Sequence, residues 1–232
     1  MKAIKLEVKG NWAQFRRAET NNNPLSHDLI TKTAFIGMIG AVLGIERREM
    51  KELFPIFCED FLYGVQIVNE VNKQSWGFTL RKAGDAWSKA PGQMEFIRNP
   101  SYVIVLALNN KRSEEIFDKF SKFCREGTAC FEPVLGLHNC PAEISFISEE
   151  EISKIDNSTF TTKGFVTNQH KMEELSNFTF RLGFDKIPTY QNNDFWNLPD
   201  RFVQLIYPSG GNSIKVNGEH FTFKDNSNWC LV

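Results

Sequence analysis

Over its first 147 residues the chain switches between a hydrophobic period of two and one of about 3.6, and the order of the switches leaves few folds open. Ile4, Leu6 and Val8 alternate with charged neighbours, the pattern of a half-buried strand, and Trp12 to Phe15 extend it. From about Thr31 to Gly44, Phe35, Met38, Ile39, Val42 and Leu43 recur at helical spacing, with Gly37 and Gly40 suiting close packing. A short helix around Glu49 to Phe57 follows, broken or kinked at Pro55. Phe61 to Val71 reads as a second strand and Ser101 to Leu108 (SYVIVLAL) as a strongly apolar third. Ser113 to Arg125 is amphipathic, with Ile116, Phe117, Phe120 and Phe123 on one side, and Gly127 ends it. Glu143 to Ile147 supplies a closing strand. The expected class is therefore α+β, a ferredoxin-like or RRM (βαββαβ) core in residues 1–147.

Two regions lie outside that pattern. Between the middle strands, KQSWGFTLRKAGDAWSKAPGQMEFIR loses clear periodicity and carries three glycines, two tryptophans and five basic residues from Lys73 to Arg98. After about Ser148 the chain is polar and short-periodic, which predicts a smaller β-rich region over 148–232. Its expected strands are Phe178 to Leu182, Phe202 to Tyr207, Ile214 to Val216 and His220 to Phe223, with a hairpin turn at Asn217-Gly218.

Composition narrows the function classes. A chain of 232 residues with 41% hydrophobic content can bury a sizeable core. No run approaches the roughly 18 apolar residues of a membrane span, and MKAIKLEVKG lacks an apolar signal core, so a cytoplasmic protein without membrane partners is expected. The five cysteines form no CxxC pair and no metal-ligand spacing, and no metal or other cofactor is expected. A net charge of −1 argues against nucleic-acid binding by bulk charge. Charge is nevertheless uneven: residues 1–139 carry 19 basic against 16 acidic side chains and the remainder 8 against 12, so a polyanion belongs on the first part.

The junction between the first strand and the first helix concentrates groups suited to anions. A helix N-terminus offers unpaired N–H groups and partial positive charge. Lys32 and Thr33 sit in that first turn, His27 lies just upstream, and Arg16 and Arg17 end the strand. Alternation sends the two arginines to opposite faces, so one is expected to meet a phosphate or base. In the insertion, Trp76, Arg81, Lys82, Trp87, Lys89 and Arg98 mix flat and cationic side chains, a combination that stacks bases and neutralises phosphates. Each also has a plain alternative: a paired or solvated charge, a helix cap, a tryptophan anchoring its own hairpin.

Four ordered segments, GNWAQFRR, TAFIGMIGAVLG, FIRNPSYVIVLAL and ACFEPVLGLHNCPAEI, resemble the Cas-five family of CRISPR-associated proteins, within the RAMP superfamily, and suggest subtype I-B. The resemblance covers roughly residues 1 to 147. It implies an RRM-like core with a β-hairpin thumb, here about residues 73–98, and a variable C-terminal β region. It further implies a non-catalytic subunit of the type I interference complex, Cascade, that holds the 5′ handle of the guide RNA (crRNA) and caps the repeated backbone subunit. Such a subunit contacts the large subunit, with target DNA near the PAM end within reach. The superfamily's glycine-rich loop is reduced here to VLGLHNCPA, whose His138 is a candidate RNA contact. The other reading is a metal-independent endoribonuclease that trims repeat RNA, with His138 as its best-placed acid or base.

Overall fold

The computed structural model describes residues 1–82, 85–173, 179–194 and 198–232, and no side chain of residues 80–88. Strand β1 (Lys2–Lys9) is followed by a two-residue strand β2 (Trp12–Ala13), then helices α1 (Lys32–Leu43) and α2 (Arg47–Asp60). Next come β3 (Phe61–Ile67), the long pair β4 (Asn72–Lys82) and β5 (Asp85–Arg98), β6 (Ser101–Leu108), α3 (Glu114–Glu126) and β7 (Glu143–Glu151). One sheet runs β3-β6-β1-β7 with every neighbouring pair antiparallel.

That sheet is covered on both faces. Ile4, Leu6, Val8, Ile104 and Leu106 pack with Phe35, Ile39, Phe117 and Phe120 from α1 and α3. Ala3, Val105 and Ala107 turn the other way, against Phe221, Phe223 and Trp229 of the C-terminal region. A strand buried on both sides has no use for alternation, and this explains the unbroken apolar run SYVIVLAL. Lys5 shares the second face: its Nζ donates to Asp225 Oδ2 at 2.7 Å and Ser227 Oγ at 2.9 Å, and lies 4.3 Å from the centre of the Phe223 ring. The stem and charge of one lysine thus tie the C-terminal region to the sheet.

The C-terminal region contains β8 (Ser153–Thr162), β9 (Val166–Thr167), β10 (Lys171–Met172), β11 (Leu182–Tyr190), β12 (Arg201–Pro208), β13 (Ile214–Thr222) and β14 (Asn228–Trp229). β13 pairs with β8, β10 and β14, while β12 lies between β11 and β9.

Four expectations shift. Trp12 to Phe15 does not extend β1: β2 leaves the central sheet and pairs with Ile97 and Arg98 of β5. Pro55 does not break α2, which runs on to Asp60; the carbonyl it leaves unserved, that of Lys51, belongs to an exposed residue. Asn217-Gly218 is not a turn but the site of a register shift within β13, which continues against β8 on both sides of it. Gly218 is needed there because a Cβ would lie 2.5 Å from the His170 ring, whose Nε2 bonds the neighbouring Glu219 carbonyl at 2.8 Å. Phe178 lies outside the described residues, and the strand expected around it begins at Leu182.

Candidate nucleic-acid interface

Past β2 the chain stays extended and runs beside residues 25–27, joined by His27 N–H to the Phe15 carbonyl (2.8 Å) and Arg17 N–H to the Leu25 carbonyl (2.8 Å). The same loop borders the hairpin, with Glu95 N–H donating to the Pro24 carbonyl and Gln93 N–H to Asn23 Oδ1. Thr31 then caps α1, its Oγ1 accepting from Ala34 N–H at 3.2 Å. Opposite, the loop before β7 closes on the strand: Gln14 N–H donates to the Leu135 carbonyl at 3.0 Å, and Gly136 has φ +92°. A Cβ on Gly136 would lie 1.9 Å from the Gln14 carbonyl oxygen. The single glycine of VLGLHNCPA is therefore the one the contact requires. Between these elements lies a cleft of about 620 Å3, bounded by Arg16, Thr33, Met94, Leu137 and Pro188 among others.

The predicted cations divide sharply. Arg16 is exposed at the cleft's rim, where its guanidinium donates to the Thr20 carbonyl (3.0 Å) and Asn21 Oδ1 (3.4 Å). Arg17 points the other way and pairs with Asp185 Oδ2 on β11 at 3.1 Å. The same oxygen bonds His27 Nδ1 at 3.0 Å, and His27 is buried, its Nε2 without a partner among the described residues. Burial alone would raise the Asp185 carboxyl, but the bond with His27, the Arg17 guanidinium and the Lys186 amide hold it below the ordinary carboxylate range. His27 is thus a structural partner and not a loop residue presented to a nucleotide.

Lys32 is the largest departure. It is only 4% exposed, its Nζ donates to the main-chain oxygen of Val232 at 2.9 Å, and it does not line the cleft. Burial pushes its ammonium down to about 8, with Arg201 adding to the shift and Cys58 opposing it. Thr33 does line the cleft, its hydroxyl 3.2 Å from that of Thr31.

The hairpin's base is fixed by charge on one face and by rings on the other. Lys73 Nζ meets Asp28 Oδ1 (2.7 Å), Glu95 Oε1 (3.1 Å) and the Ser26 carbonyl (2.7 Å). Asp28 also accepts from Tyr207 Oη of β12 at 2.8 Å. On the other face Trp76 lies edge-on to Trp12 (centroids 4.6 Å apart) and beside Phe96 (4.8 Å), yet remains 39% exposed. Lys89 and Arg98 are exposed along β5. The side chains of Arg81, Lys82 and Trp87 lie outside the described ones. His138 is exposed in the turn after Gly136, with no hydrogen-bond partner among the described residues.

Gln14, Asp28, Glu95, Asp185 and Tyr207 were not picked out from sequence. Gln14 had a signal, since alternation puts it on the face of Arg16. Asp185 had none, being 168 residues from Arg17.

Residues 3–159 match the family model described as CRISPR-associated protein (Cas_Cas5). The chain belongs to the Cas5 family. Solved structures share the fold. A CRISPR protein from Archaeoglobus fulgidus aligns over all of this chain and 98% of its own, at 16% identity and a TM-score of 0.58. A chain of a CRISPR RNA-guided surveillance complex aligns over 89% of this one and 90% of its own, at 9% identity and a TM-score of 0.55. A chain of a type III-B Cmr-beta complex bound to cognate target RNA covers 91% of this one and 86% of its own, at 10% identity and a TM-score of 0.51. No curated protein matches the sequence. Among the described residues of this family member, no helix is long and apolar enough to cross a membrane.

Proposed function

We propose that this Cas5-family protein is a non-catalytic, guide-RNA-binding subunit of a type I CRISPR effector complex, and that it holds the RNA's 5′ handle. The observation that carries the reading is the coincidence, in a Cas5-family fold, of a cleft at a strand-to-helix junction with a partly exposed tryptophan on the adjoining hairpin. Single-stranded RNA presents splayed bases and phosphates; the cleft and the exposed ring offer surface to the bases, and the Arg16 guanidinium at the rim a cation to the backbone. The surveillance-complex neighbours support membership of an RNA-containing assembly. The repeated backbone subunit, the large subunit and target DNA near the PAM end are the partners the family resemblance adds, with I-B as the working subtype. With a net charge of −1, affinity rests on local contacts and on those partners more than on overall field.

The test is assembly of the effector complex on guide RNAs with an intact or a scrambled handle, followed by filter binding. Assembly should fall with the scrambled handle, and equal assembly would remove the handle from the proposal. Incubation of the purified chain with repeat RNA in EDTA tests the non-catalytic part: intact RNA is expected. Site-specific cleavage lost in His138→Ala would establish the nuclease instead.

A further inference from the structure

An antiparallel sheet with one face on the core turns its apolar side chains in and its polar ones out. β11 inverts that order at its centre: Asp185 is buried, held by Arg17 and His27, and Phe184 beside it is 69% exposed. Across the ladder Phe184 stands opposite Ile206, and Lys186 opposite Gln204. Ile206 and Phe202 on this outward face are only partly buried, and Lys186 Nζ lies 5.3 Å from the centre of the Phe202 ring. A hollow of about 570 Å3 opens beside the face, with Lys186, Phe202, Gln204 and Asn168 among its walls.

An isolated exposed phenylalanine needs no explanation. A raised ring with apolar neighbours on the same face, next to a hollow, has the anatomy of an interface core. Charge identifies the occupant. The outward positions of β11 and β12 carry one charge, the Lys186 ammonium, which meets no carboxylate among the described residues. One unpaired cation among apolar side chains fits a protein partner that brings an apolar side chain and an acid. Nucleic acid fits less well, because residues 140–232 carry 8 basic against 12 acidic side chains and one lysine does not outweigh that field. A second copy of this chain fits less well again. A self-complementary contact must find its carboxylate on the same face, and these outward positions hold none.

We propose that the outward face of β11 and β12 docks another protein subunit of the effector complex, through a segment that sets an apolar side chain against Phe184 and a carboxylate against Lys186. The proposal rests on the effector-complex reading above and adds a protein surface; Phe184, Lys186, Phe202, Gln204 and Ile206 do not line the RNA cleft.

The experiment replaces Phe184 of the full chain by the photo-crosslinker p-benzoylphenylalanine, assembles it with the other subunits and guide RNA, and maps the product by mass spectrometry. The crosslink should join a segment containing Asp or Glu in a different protein subunit. Phe184→Ala should weaken binding of that subunit by about 30-fold, the scale of an interface hot spot, and leave the isolated chain's urea midpoint unchanged. Lys186→Glu should weaken it as well. Reversal of the crosslinked carboxylate to lysine should then restore binding to Lys186→Glu and weaken binding to the wild type, an exchange that a merely structural role would not produce. A crosslink to RNA, to a second copy or to nothing in the assembled complex, or full affinity in Phe184→Ala, would overturn the docking surface and leave complex membership intact. Failure of the wild-type chain to enter any complex would remove both.

Discussion

Replacing Lys32 by methionine separates a buried structural cation from an RNA contact. In the wild type the ammonium is 4% exposed and its pKa is lowered to about 8 from the ordinary 10.5, chiefly by burial. Between those two values the unfolded chain binds a proton that the folded chain has released, so stability rises with pH across that window. The slope reaches at most about 1.4 kcal/mol per pH unit, and the whole window is worth about 3 kcal/mol. Below pH 8 the charge is present in both states and the full burial cost is carried. Methionine removes that cost and also the hydrogen bond to the main-chain oxygen of Val232, which still accepts from Tyr63 N–H at 3.0 Å. A charge-assisted bond contributes about 1.5–3 kcal/mol, so the two losses nearly offset at pH 7, and the variant should lie within about 1–2 kcal/mol of the wild type. Urea unfolding of both proteins from pH 7 to 10.5, followed by tryptophan fluorescence, gives the comparison. Alkaline titrations that do not sense Lys32 are common to both and cancel in the difference, and the Cys58 thiol, which does sense it, is pushed up by burial to about 11, above this range. The wild type should gain about 3 kcal/mol on Lys32→Met over this range, while RNA binding at pH 7 stays unchanged. A pH-independent difference, or loss of RNA binding in a folded Lys32→Met protein, would refute the burial argument.

Trp76→Ala should weaken RNA binding by about 5- to 150-fold, the 1–3 kcal/mol of one stacked base, and unchanged affinity in a filter assay would leave the ring as an anchor for Trp12 and Phe96 alone. Gly136→Ala combines φ +92° with a Cβ 1.9 Å from the Gln14 carbonyl oxygen, so urea unfolding should show a loss of at least about 2 kcal/mol. Asp185→Asn leaves Arg17 and His27 facing a neutral amide and should cost about 3 kcal/mol, at the low end for a broken buried pair because Arg17 is partly in water. The depressed Asp185 pKa gives the wild type stability above the ordinary carboxylate range that fades as pH falls through it, so the two unfolding profiles should converge in acid.

The central sheet and its helices were legible because their signals are local. SYVIVLAL needs only its own composition to announce a strand, and Gly127, at φ +65°, ends α3 where the amphipathic pattern stops. The strand-to-helix junction was legible as a place but not in its chemistry. Helical spacing identifies Lys32 as a first-turn residue, yet the side on which its amine emerges depends on the main-chain oxygen of Val232, 200 residues away. The division of Arg16 from Arg17 followed from alternation, whereas the carboxylate that takes Arg17 did not. Asn217-Gly218 misled because turn propensity is a local preference, and the pairing with β8 on both sides of it outweighs it.

Asp185 and Tyr207 hold the loop that forms one wall of the cleft, and both lie in the part of the chain that the family resemblance treats as variable. Residues 148–232 are therefore not an exchangeable cassette. A substitution on β11 or β12 can alter the cleft without approaching it, and a C-terminal region transplanted from a relative should succeed only when residues 15–28 travel with it. Over evolutionary time these two stretches should change as a pair, and drift in one alone should appear first as misassembly of the cleft.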